Sequence, residues 1–189
     1  MYQQTYKETN RIESGNQERD LKILNSICCN RYRFIKAEFI ELQYNGVDYI
    51  GFLESNPLDV ERYIFLDIKT SSKYKKRESF IFELYYKKND SKYKSWSLQE
   101  PQNNNNPFLI AFLDEEQAVT INKRIMITVL KFLEQQKPHL IKEISEVDKK
   151  GNRVLKYIVR LRKDDKFFKM MKPNIYHKNK EGIFEKVSY

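Results

Sequence analysis

Between residues 32 and 100 short aromatic and β-branched runs are separated by turn signals, the pattern of successive strands. RYRFIKAEFIELQY and VDYIGFLE flank Asn45-Gly46, a pair that tolerates positive φ and so favours a tight hairpin turn. RYIFLDIKT and SFIFELYYKK supply a third and a fourth strand. SKYKSWSLQE supplies a fifth, with Trp96 and Leu98 on one face. The expectation is an antiparallel meander of about five strands over residues 32–100. Its hairpin tips carry Lys73, Lys75, Lys76, Arg77, Lys87 and Lys88.

The pattern then breaks. In PQNNNNP two prolines bracket an asparagine tract, and residues 101–113 are expected to be a loop. Val119, Asn122, Met126, Val129, Leu130 and Leu133 next share a helical stripe, with Asn122 the polar exception. Asp114 or Thr120 is placed to cap that helix, and Pro138 after Lys137 stops it, which predicts one long helix over 114–137. HLIKEISEV reads as a strand. Residues 153–163 fit two templates. Leu155, Tyr157, Val159 and Leu161 alternate as in a strand, whereas Val154, Leu155, Ile158 and Leu161 form a helical stripe capped by Asn152. The helix is favoured. NIYHK and GIFEKVS around Gly182 end the chain as a hairpin.

Residues 1–31 read as a polar leader with a short helix, DLKILNSICCN. The whole is an α+β pattern: a meander packed on one long helix, then strand, short helix (or strand) and hairpin. Residues 32–189 suffice for one domain with a real core, ending in a basic subregion over 138–189.

Charge changes the picture more than composition does. Residues 1–148 hold 22 Lys+Arg and 22 Asp+Glu, while 149–189 hold 13 and 4, so the whole net charge of +9 lies in the last segment. Such asymmetry points to nucleic acid or an acidic protein surface as partner. Lysine outnumbers arginine 25 to 10, and with abundant Asn, Ile and Tyr this suggests an AT-rich gene that contributes part of the basicity. No apolar run reaches the roughly 20 residues a membrane helix needs, and the N-terminus lacks a signal-peptide core. A cytoplasmic location is expected, with no cofactor. Cys28 and Cys29 are adjacent and are expected to be reduced thiols.

Pro57-Leu58-Asp59 followed by Asp67-Ile68-Lys69 resembles the PD-(D/E)xK nuclease signature. That resemblance implies acidic residues on neighbouring strands holding a divalent metal. A lysine two residues along the same face then helps activate water or stabilise charge. The candidate catalytic set is Asp59, Asp67 and Lys69. The separation of the two aspartates is short for the family, and no strand–helix crossover follows. The late sheet–helix–strand–helix order also resembles acetyltransferases, but EEQAVTINKR lacks the glycines that would cradle a pyrophosphate. His139 is expected to pack at a strand start and His177 to be exposed; neither lies in a nucleophile motif.

The other candidate is the basic segment. Lys149, Lys150, Arg153, Lys156, Arg160, Arg162 and Lys163 interleave with aromatics, Tyr157, Phe167 and Phe168. As a helix, 153–163 would align Arg153, Lys156, Arg160 and Lys163 in one strip for a phosphate backbone. The run from FLDEEQ to KDDKFF loosely resembles a family of small bacterial proteins of unknown function, which implies the α+β topology and a helical 153–163. The leading expectation is a non-enzymatic binding protein acting through this segment. The alternatives are the nuclease and a protein-interaction module that pairs through a sheet edge.

Overall fold

Alternation governs more of the chain than the helical stripe suggested. In the computed structural model, residues 17–28, 31–38, 42, 46–70, 76–88, 91–100, 106–147 and 151–187 are described. The order is α1 (residues 17–27), β1 (Tyr32–Lys36), β2 (Tyr49–Leu53), β3 (Ile64–Thr70), β4 (Ser79–Lys88) and β5 (Ser91–Lys94). Then come β6 (Phe108–Leu113), β7 (Gln117–Asn122), α2 (Lys123–Gln136), β8 (Ile141–Val147) and β9 (Arg153–Arg162). The chain closes with α3 (Lys166–Met170), β10 (Asn174–Lys178) and β11 (Phe184–Val187). No helix among the described residues is long and apolar enough to cross a membrane.

The fold is α+β, dominated by antiparallel strands in two sheets. Seven strands run in the order β1-β2-β3-β6-β7-β10-β11, and four in the order β5-β4-β9-β8. The single meander expected over 32–100 is therefore divided: β1, β2 and β3 stay together, while β4 and β5 leave for the small sheet. β3 pairs in parallel with β6, so the β4–β5 hairpin serves as the crossover between them. Trp96 and Leu98 lie in the turn after β5, not in a strand.

FLIAFL, expected as loop, is the central strand β6. Ile110 and Phe112 face one core, Ala111 and Leu113 the other. A strand covered on both faces reads as a continuous apolar run and gives no alternation to find. The long helix over 114–137 is likewise corrected. Residues 117–122 form β7, with Ala118 in one core and Val119 and Ile121 in the other. The helix begins at Lys123. Asn122, the polar exception on the stripe, is its N-cap and accepts from Arg124 N at 3.0 Å and Ile125 N at 3.4 Å. Lys137 and Pro138 end it where expected.

Residues 153–162 form a strand, which corrects the favoured helix. β9 is an inner strand with Val159 and Leu161 in the core and Val154 and Ile158 buried on the opposite face. Apolar residues on both faces produced the accidental helical stripe. β8 and the β10–β11 hairpin match expectation. β1 and β2 pair as expected, but the connection runs from 37 to 48 rather than through a two-residue turn. Asn45 lies outside the described residues, while Gly46 has the anticipated positive φ of 72°.

α1 covers one face of the large sheet, with Ile23, Leu24 and Ile27 against Leu66, Ala111 and Leu113. The small sheet and α2 cover the other. There Phe80 stacks on Phe168 at 4.6 Å and meets Phe112 edge-on at 4.9 Å. Burying each such ring contributes about 1.5–3 kcal/mol. Gly51 lets the sheet close over Phe34: a Cβ there would lie 2.5 Å from the ring. Gly51→Ala is expected to cost about 1–3 kcal/mol in chemical denaturation, with the midpoint lowered and the slope unchanged.

Candidate active site

β3 sets the site. Its even positions, Ile64, Leu66 and Ile68, face α1. Its odd positions share a face with their β6 partners Phe108, Ile110 and Phe112, which points Asp67 and Lys69 toward the small sheet and α2. The expected pairing of these two side chains is present: Lys69 Nζ lies 2.5 Å from Asp67 Oδ1. The same amine sits 4.8 Å above the Trp96 ring.

Asp59 does not join them. It precedes a 3-10 turn (Val60–Arg62) ahead of β3 and pairs with Arg62 at 3.1 Å. The second carboxylate here is Asp48, just before β2. Its main-chain N donates to Leu66 O at 2.7 Å, and its Oδ2 accepts from Ile68 N at 2.6 Å. Asp48 thus continues the β2–β3 ladder by one rung with a side chain and lies beside Asp67. An acidic residue ahead of an apolar strand, two positions after Gly46, was the available sequence signal.

Lys123 completes the cluster. It opens α2, is 1% exposed, and places Nζ 4.2 Å above the Phe108 ring. A Cβ on Gly46 would lie 3.6 Å from Asp67 Oδ2 and 3.8 Å from Lys123 Nζ, so this glycine roofs both groups. Nothing in the helical periodicity marks Lys123 as buried. Asp20 on α1 is also buried, and its carboxyl is held above the usual range chiefly by burial, with Asp48 adding to the effect.

Burial pushes Asp67 up to about 6; Lys69 and Lys123 oppose the shift and Asp48 adds to it. Burial pushes Lys123 down, with Asp67 pulling the other way. Asp67 Oδ2 is buried and has no hydrogen-bond partner. Leaving a buried carboxylate oxygen unsatisfied is costly, and structural ion pairs rarely do so. Among the described residues no three His, Cys, Asp or Glu side chains converge as a metal cluster; the carboxylates that meet at this end of β3 are Asp48 and Asp67.

The basic segment does not form the expected strip. Lys149 and Lys150 lie outside the described residues. On β9, Lys156 lies between Glu83 at 3.1 Å and Glu146 at 2.9 Å, and Arg153 donates to Ser145 at 2.9 Å. Arg162 pairs with Asp164 at 3.2 Å and Lys163 with Glu78 at 3.4 Å, while Arg160 is exposed. Strand geometry sends Arg153 and Lys156 to opposite faces. Phe167 and Phe168 are core residues, not base-stacking ones. The histidines exchange their expected settings. His139 is exposed in a 3-10 turn. His177 is half-buried, with Nε2 unpartnered and the ring held below its usual pKa by burial, Lys76 and Lys163. Cys28 is half-buried and in no disulfide; Cys29 lies outside the described residues.

No known family model, curated protein or solved structure matches this chain.

Proposed function

We propose that the protein is a metal-dependent nuclease of the PD-(D/E)xK kind, with Asp48 in the place first assigned to Asp59. The observation that carries this is the buried, partnerless Oδ2 of Asp67, flanked by a second carboxylate and a lysine two residues on. The donor chemistry fits a hard divalent cation such as Mg²⁺ or Mn²⁺, which takes oxygen ligands. Asp48 and Asp67 would hold it. When bound, it would supply Lewis-acid polarisation of a phosphodiester and a more acidic water.

The remaining work falls to the chain itself. Lys69, released from Asp67, would offset the negative charge that builds on the phosphate oxygens. Trp96 holds the amine there. Asp48 is fixed by the Ile68 amide and so orients without rearrangement. Water adds to phosphorus, one P–O ester bond breaks, and the departing oxygen takes the proton the water loses. Nucleic acid remains the partner class in this reading, as substrate rather than as a ligand of the C-terminal segment.

The test uses the full chain with linear duplex DNA, single-stranded DNA and RNA, in Mg²⁺, Mn²⁺ or EDTA. Cleavage is expected only with a divalent cation. Asp48→Asn, Asp67→Asn and Lys69→Ala should each lose at least about 10²-fold, with circular dichroism unchanged. Cleavage that persists in EDTA or in Asp67→Asn would remove the reading. So would an absence of both cleavage and calorimetric Mn²⁺ binding.

A further inference from the structure

β8 is the outer strand of the small sheet, and its only neighbour among the described strands is β9. Its sequence is Ile141-Lys142-Glu143-Ile144-Ser145-Glu146-Val147. Charges on an edge strand usually discourage pairing with another strand. Here they are arranged symmetrically about Ile144.

Two copies of β8 laid antiparallel, with Ile144 opposite Ile144, bring Lys142 against Glu146 twice and Ile141 against Val147 twice. Glu143 then faces Ser145. The pleat keeps these pairs consistent with the sheet. Lys142, Ile144 and Glu146 are on the outer face, and Ile141, Glu143, Ser145 and Val147 on the core side. Neighbouring registers fail. Sliding one residue either way sets Glu143 against Glu146, or Ile141 against Glu146. Sliding two sets Glu143 against itself, or against Val147. Val147 is 71% exposed, and of the registers within two residues of this one only the symmetric register sets an apolar β8 side chain against it. Glu146 keeps half of its side chain exposed while bound to Lys156, so it can take a second cation.

We infer that β8 is a self-pairing edge through which two copies of this chain join their small sheets across a two-fold axis. Such an interface is isologous, each contact being made twice. The partner is a second copy because the charge order complements itself in one register. The inference does not depend on the nuclease reading.

Sedimentation equilibrium of the full chain is expected to show a concentration-dependent dimer. Lys142→Glu places four carboxylates in two facing pairs and should weaken dimerisation at least about tenfold. Glu146→Lys does the same with lysines. Mixing the two variants restores opposite charges at both pairs, so the mixture should form a heterodimer tighter than either variant's own dimer. Ile144→Cys should cross-link to itself on oxidation, since facing residues in an antiparallel pair lie about 4.5–5.5 Å apart at Cα, within disulfide reach. A monomer at every concentration overturns the inference. So does a Lys142→Glu dimer as tight as the wild type, or a mixture that stays monomeric while both variants keep native circular dichroism.

Discussion

Asp114→Ala is expected to lose about 3–5 kcal/mol of stability in urea or guanidinium unfolding. Asp114 has no exposed side chain, and Arg77 has little. The guanidinium grips both carboxylate oxygens, with Nε at 2.9 Å from each and Nη2 at 2.6 Å from Oδ1. The Arg77 amide adds a bond to Oδ2 at 3.2 Å. The same guanidinium lies 5.1 Å from the Phe112 ring and 5.8 Å from Phe80. Removing the carboxylate takes these bonds from a largely buried guanidinium set among aromatic rings, which is why the cost exceeds the worth of the pair. Arg77→Leu should be similarly damaging. The double variant Arg77→Leu/Asp114→Leu should recover part of the loss, because neither charge is then stranded. Single variants that lose less than about 1 kcal/mol would refute the pair's role. Arg77 also donates to Lys69 O at 3.4 Å, so the pair braces the strand that carries the candidate site.

Lowering the pH from 7.5 to 5 is expected to stabilise the wild type by about 1–1.5 kcal/mol relative to Asp67→Asn. The Asp67 carboxyl titrates near 6 in the folded chain against 3.8 in the ordinary group. Between those values the folded state binds the extra proton, so stability is present at low pH and falls as pH rises through about 6. His177 acts in the other direction, because its depressed pKa makes stability fall as pH drops through the histidine range. It is common to both proteins and cancels in the comparison. Thermal unfolding of the two at several pH values measures the difference; parallel curves would contradict it. A divalent cation on Asp67 favours the charged form, so Mn²⁺ should flatten the wild-type dependence.

Where alternation, a helical stripe or a proline marks the chain, the pattern could be read directly, as at β2, β3, the β10–β11 hairpin and the end of α2. Where both faces are buried, it could not. β6 and β9 are inner strands with apolar residues on both sides, and each was read as something else for that reason. β7 and α2 join without a break, so Val119 and Asn122 were drawn onto a helical stripe that belongs to Met126 onward. The parallel β3–β6 pair depends on contacts across a long stretch of chain and leaves no local signature. In the site, Asp67 and Lys69 were legible because two residues apart on a strand means one face. Asp48 and Lys123 were not, because their place depends on how β2 abuts β3 and how α2 docks beneath Gly46.

Trp96 is the chain's one tryptophan, and its ring lies under the Lys69 amine. In most proteins of this size intrinsic emission averages several indoles and reports on the core at large. Here every tryptophan photon originates 4.8 Å from the amine that pairs with Asp67. The protein's tryptophan fluorescence is therefore a local signal from the surroundings of the Lys69 amine.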